Sequence, residues 1–269
     1  MDARIIDAHA HCGIRDRFPP QSFEDYRASV RGSEIHGVVM FSPVMEIYDR
    51  YDMSFHDTHE WRRARRESNE YLLTLGGEDF WVFPYLFIWN DFAIEDLTPR
   101  HKGIKWHRHP DEPPYEYHNP RCRAAIDEIR RRGMPIVLEE EFQNTVRFIE
   151  EWAAGTTVII PHLGALNGGY NRIRAERLWE KPNVYADTSL AGRHEIMDYI
   201  DHCGHERLLF GSDFPFGDPL SELRKVMQLP LDEEIKLAIA SRNVLRLLAA
   251  SNVSHIGLQQ APHPHGAEK

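Results

Sequence analysis

Cysteine is scarce in this sequence: Cys12, Cys122 and Cys203 are the only thiols among 269 residues. An odd number so widely spaced builds neither a disulfide framework nor a cysteine-rich zinc site, and it points to a reducing compartment. Basic charge is also short, with 32 Lys and Arg against 42 Asp and Glu, a formal charge of −10. Phosphate backbones and anionic membranes are held by clustered Lys and Arg, so the balance argues against both partners and for a small-molecule one. The one basic run, Arg62-Arg63-Ala64-Arg65-Arg66, lies among Glu60, Glu67 and Glu70 and reads as an ion-paired helix surface. No apolar stretch approaches the length of a membrane span, and Met1 to Asp7 carries no signal-peptide pattern, so the expected location is the cytoplasm. Histidine, by contrast, is abundant at 16 residues, and function turns on whether some of them converge.

Short β-branched and aromatic runs bounded by turn residues predict strands at Arg4–His9, Gly37–Ser42, Trp81–Ile88, Gly103–His107, Pro135–Glu139, Thr157–His162, Asn183–Asp187 and Leu208–Asp213. Amphipathic stretches between them predict helices at Phe23–Val30, Trp61–Leu75, Pro120–Arg132, Asn144–Ala153, Arg172–Leu178, Glu195–His202 and Leu220–Met227; only the link around Phe92–Leu97 is too short for one. Eight strand-helix units imply parallel strands with right-handed crossovers closing into a (β/α)8 TIM-type barrel of about 250 residues. An open doubly wound sheet is the alternative, but its dinucleotide fingerprint is missing from the first turn, Ala10-His11-Cys12-Gly13. Asp232–Ala250 reads as an extra C-terminal helix with Asp232 as its N-cap. The expected organisation is one barrel domain over 1–250 and a mobile tail over 251–269, where His263 and His265 are solvated.

Chemistry in such a barrel sits at the C-terminal ends of the strands. The first strand ends Asp7-Ala8-His9-Ala10-His11, and residues two apart face the same side, so His9 and His11 can share a metal. The sixth delivers His162 and the eighth Asp213. Each alone has an ordinary structural explanation, as a hydrogen-bonded core histidine or a helix N-cap. Together they form a nitrogen and oxygen set suited to Zn²⁺ or Mn²⁺.

These segments, with Pro161-His162-Leu163-Gly164 and Gly211-Ser212-Asp213-Phe214-Pro215, resemble the strand-one, strand-six and strand-eight motifs of the amidohydrolase superfamily. The similarity is to its amidohydrolase-2 branch, which includes aminocarboxymuconate-semialdehyde decarboxylase and several lactone hydrolases, and it extends to the closing segment Arg242–Leu248. The resemblance implies a distorted barrel, a divalent metal held by His9, His11 and Asp213, and His162 as a ligand or as a partner of the reacting water. Gly103-Ile104-Lys105-Trp106-His107 is similar to the branch's Gly-x-Lys-x-His strand, with Lys105 and His107 on the inner face and Trp106 outward.

The fifth strand departs from the branch: Glu139 stands where a histidine is usual, making it a candidate ligand, with Glu141 on the same face as the fallback. Arg15 and Arg17, Arg108 and His109, and Arg193 follow strands one, four and seven and could hold a substrate carboxylate, together with Lys105 and His107. Segments Tyr48–His59 and His109–Asn119 read as lids. The expected activity is metal-dependent hydrolysis of an ester, lactone or amide bond, with Asp213 as proton acceptor and His162 orienting water or the oxyanion. Non-oxidative decarboxylation of an aromatic or muconate-type acid fits the same residues. A non-catalytic binding barrel is the third reading, and a homo-oligomer is compatible with all three.

Overall fold

The computed structural model describes residues 4–256, with the side chains of residues 4–249. Eight strands occur among the described residues: β1 (Ile5–His11), β2 (Ile35–Phe41), β3 (Trp81–Phe87), β4 (Gly103–His107), β5 (Ile136–Glu139), β6 (Val158–Ile160), β7 (Val184–Asp187) and β8 (Leu208–Leu209). They pair in sequence order and all in parallel. The ring closes because the chain after β8 tracks β1: Ala8 N–H donates to Phe210 O (2.8 Å), Asp213 N–H to His9 O (2.7 Å) and His11 N–H to Phe214 O (2.7 Å). The expected barrel is present.

Two strands stop two or more residues earlier than expected. β6 ends at Ile160, because Pro161 has no N–H for the ladder and His162 and Leu163 take left-handed φ of 55° and 48°. The ladder of β8 ends at Leu209, and Asp213 is itself left-handed at φ 57°. All seven intervening helices occur: α1 (Phe23–Ser29), α2 (His59–Leu72), α3 (Pro120–Arg131), α4 (Phe142–Arg147) running into a π turn, α5 (Tyr170–Ala175), α6 (Arg193–Cys203) and α7 (Pro219–Met227). A single 3-10 turn, Ile94–Asp96, links β3 to β4.

The C-terminal helix differs from expectation in three ways. It is split into α8 (Glu233–Leu237), a π turn (Ala238–Arg242) and α9 (Asn243–Ile256). Asp232 occupies the N-cap position of α8, but its side chain makes no capping bond. α9 continues to Ile256, so residues 251–256 belong to the helix and not to a tail; 257–269, with His263 and His265, lie outside the described residues.

Two apolar layers result. Ile6, Ala8, Val39, Phe41, Tyr85, Val137, Ile159 and Leu209 fill the barrel, and Val244, Leu247 and Leu248 of α9 close its lower end. Ile104, Trp106, Ile136 and Leu138 face outward into the helical layer. In β1 the register runs Asp7↔Val38 then Ala10↔Met40, three residues against two. This bulge reverses the alternation. Ile6 and Ala8 fill the barrel below it, His9 and His11 point inward above it, and Asp7 turns outward to Tyr26 of α1.

Candidate metal centre

Above the bulge, the buried Nε2 atoms of His9 and His11 lie 3.3 and 3.4 Å from Asp213 Oδ1. Metal bonds of about 2.0–2.2 Å in a tetrahedral arrangement leave donor atoms roughly 3.3–3.6 Å apart, so these separations suit one ion. The tautomer suits it too. Asp187 Oδ2 lies 2.8 Å from His9 Nδ1, so the ring proton goes to the carboxylate and the Nε2 lone pair faces inward. Burial, reinforced by the Lys105 ammonium, pushes the His9 pKa down to about 4, keeping the ring neutral as a ligand must be. Burial opposes ionisation of Asp213, but the His11 hydrogen bond and the neighbouring His9 and His162 hold its pKa below the usual value. Three buried donors and a carboxylate behind one of them fit a divalent cation.

Close packing brings this set together. A Cβ on Gly211 would lie 2.9 Å from His9 Cβ and 3.4 Å from Asp187 Cγ. Asp7 accepts from Ser212 N–H (2.9 Å) and Oγ (2.5 Å) and from Tyr26 Oη (2.9 Å), tying the chain before Asp213 to β1.

Glu139 belongs to a second cluster. Its Oε1 lies 3.0 Å from His107 Nε2 and 2.6 Å from His109 Nε2, and its Oε2 lies 3.3 Å from Lys105 Nζ and 3.6 Å from His162 Nε2. Lys105 Nζ is also 3.4 Å from His9 Nε2, so an ammonium stands between the two groups. Against burial, His107, Lys105 and His109 hold the Glu139 carboxyl well below the usual range. Glu139 is therefore ionised and near the centre without completing the His9, His11 and Asp213 triad. His162 Nδ1 lies 2.8 Å from Ser189 Oγ. Burial disfavours its charge, but Glu139, Asp213 and Asp187 overcome that and raise its pKa to about 9.

A cavity of about 270 Å³ opens above both clusters, lined by His11, Asp213, His162, Glu139, His107 and His109, with Arg50, Gln21 and apolar Pro43, Val44, Leu166, Leu190 and Phe216. The arginines expected from sequence are elsewhere. Arg15 is half exposed and pairs with Glu67, and its Nη1 donates to Ala64 O (3.0 Å). Arg17 donates to Ile14 O (3.2 Å). Arg193 begins α6 and reaches Gln228. Arg108 is buried against Glu140 (2.8 Å). None of the four lines the cavity. Glu141 does not follow Glu139 inward, because β5 has ended and Glu141 precedes α4. Sequence reasoning missed Asp187 and Arg50. Asp187 ends β7 as Asp213 follows β8, so the same strand-end rule would have found it; Arg50, in a long loop, carried no such signal.

The model of the Amidohydrolase family, Amidohydro_2, matches residues 6–249. The chain belongs to the amidohydrolase family. No curated protein sequence matches it. Among solved structures, a 2,6-dihydroxybenzoate decarboxylase complexed with 2,6-dihydroxybenzoate superposes with TM-score 0.68 at 15% identity, over 91% of this chain and 99% of that one. A dihydroxybenzoic acid decarboxylase from Polaromonas sp. JS666, with bound manganese and 2-nitroresorcinol, gives 0.65 at 13% over 91% and 96%. A putative 2-pyrone-4,6-dicarboxylic acid hydrolase from Pseudomonas putida gives 0.63 at 18% over 92% and 98%. At these identities the likeness is one of fold: a TIM barrel of the amidohydrolase type.

Proposed function

We propose that this chain is a metal-dependent hydrolase of an ester, lactone or amide bond in a small carboxylated molecule. The observation that carries the reading is the buried His9, His11 and Asp213 donor set at the floor of the cavity. Zn²⁺ is the first choice of ion for two imidazoles and a carboxylate, and Mn²⁺, present in one structural relative, the second. When bound, a divalent ion supplies Lewis acidity, polarising a carbonyl and making water acidic near neutrality.

The side chains supply the rest. Asp213, ionised, accepts the proton of the attacking water and returns it to the leaving group. His162, holding a proton and fixed by Ser189, donates to the oxygen on which charge develops. Arg50, the arginine at the cavity wall, receives the substrate carboxylate beside His109. Pro43, Val44 and Phe216 limit water.

Decarboxylation is the second reading, favoured by the same protonated His162, which can deliver a proton to carbon as CO₂ leaves, and by the decarboxylases among the structural relatives. The experiment incubates metal-loaded protein with lactones and with hydroxybenzoic acids in ¹⁸O-labelled water. Label in a ring-opened acid identifies the hydrolase, and CO₂ release without label in the aromatic product identifies the lyase. Retained metal with neither product across both panels would reject both.

A further inference from the structure

Leu166, Leu190 and Phe216 are 40%, 49% and 60% exposed, yet all three line the cavity. Each is carried by a turn that also carries a polar residue of the site. Phe216 N–H donates to Asp213 O (2.8 Å), and its ring stands edge-on 6.2 Å from that of His11. Leu166 follows the turn closed by Ala165 N–H to His162 O (3.1 Å). Leu190 comes directly after Ser189, the partner of His162, and keeps a left-handed φ of 55°. A leucine seldom adopts that conformation, and such positions cluster at functional sites. Three consecutive strand-end turns thus carry His162, its partner Ser189 and Asp213, each with a hydrocarbon group at the mouth.

The fixed cations at the cavity are few. Arg50 is ion-paired to Glu112, and Lys105 faces Glu139 at 3.3 Å. With Arg50 taken by the first carboxylate of a substrate, a second finds no other lysine or arginine along this lining. The volume, at the lower end for ligand cavities, takes about one ring.

We propose that Leu166, Leu190 and Phe216 form an apolar subsite for a hydrocarbon substituent, so that the substrate is a single-ring or short-chain acid with one anionic group and an apolar far end. This deepens the metal-dependent reading and rests on it. The occupant is the substrate's own substituent because these side chains face the same cavity as the donor atoms.

The test is calorimetric binding of benzoate, 4-ethylbenzoate, 4-butylbenzoate and isophthalate to the Zn²⁺-loaded full chain. Affinity is expected to rise up to about fourfold per added methylene, and isophthalate is expected to bind more weakly than benzoate. In a Leu166→Ser, Phe216→Ser variant the chain-length slope should flatten while metal content stays that of the parent. A flat slope in the parent, an unchanged slope in the variant, or tighter binding of isophthalate would overturn the proposal. If the parent slope is flat and the variant converts a sedimenting dimer to monomer, the rim is an interface between two copies. Metal content of a His9→Ala, His11→Ala variant separates the two levels: unchanged stoichiometric metal there would sink the metal-centre reading itself, whatever the slopes show.

Discussion

Asp187 illustrates how a residue can matter without facing the substrate. Its Oδ2 fixes the His9 tautomer, and its Oδ1 accepts the His162 backbone N–H at 3.0 Å, so one carboxylate orients both histidines. Asp187→Ala is expected to weaken metal affinity about 10- to 100-fold, measured by dialysis against a metal buffer. Asp213→Asn, compared at equal metal occupancy, is expected to lower turnover by about 10²- to 10⁴-fold; equal turnover would remove Asp213 from proton transfer. Residue type and strand-end position singled out His9, His11, His162 and Asp213, whose side chains the fold brings close together. They were not enough for Arg15 and Arg193, whose long side chains find Glu67 and Gln228 nearer than the cavity.

At the scale of elements, two kinds of irregularity shape the site. The β1 bulge lets one short strand serve the apolar interior with Ile6 and Ala8 and the centre with His9 and His11. Left-handed residues at His162 and Asp213 follow the ends of two strands, and both side chains line the barrel mouth. Alternation predicted which of Lys105, Trp106 and His107 face inward because β4 is regular. It failed at Glu141 because β5 stops at Glu139. Regular strands also impose tight approaches: a Cβ on Gly103 would lie 2.3 Å from the Tyr85 ring and 2.8 Å from Pro135 O. Gly103→Ala is therefore expected to destabilise the protein by about 1–3 kcal/mol through overpacking, read from the urea midpoint at unchanged slope.

For the whole molecule, stability should depend on metal and on pH. An ion that binds the folded barrel and not the unfolded chain stabilises it by about 2.7 kcal/mol at a hundredfold excess over Kd, so chelation is expected to lower Tm in the parent and leave a His9→Ala, His11→Ala variant unchanged. His101, buried in the link from β3 to β4, accepts Thr98 N–H at Nδ1 (3.1 Å), and burial lowers its pKa to about 4. Unfolded histidine titrates near 6.5. As pH falls, the unfolded chain binds this proton first, so stability drains between about 6.5 and 4 and the contribution is complete above that window. His101→Asn is expected to shrink the difference in urea stability between pH 7.5 and 5; an unchanged difference would assign that slope to other groups.

Local spacing determined what depends on local geometry: eight strands, their helices, the barrel, and the polar residues at strand ends. Backbone periodicity and apolar patterning act over a few residues, so they are written along the chain. Which donors meet was decided by closure of the barrel. Asp213 reaches His9 and His11 across about two hundred positions, Lys105 separates Glu139 from that triad, and Arg50 takes the cavity wall in place of the expected arginines. Those outcomes depend on the bulge, on two left-handed turns and on competition among nearby charged partners, all of which exist only once distant strands are side by side.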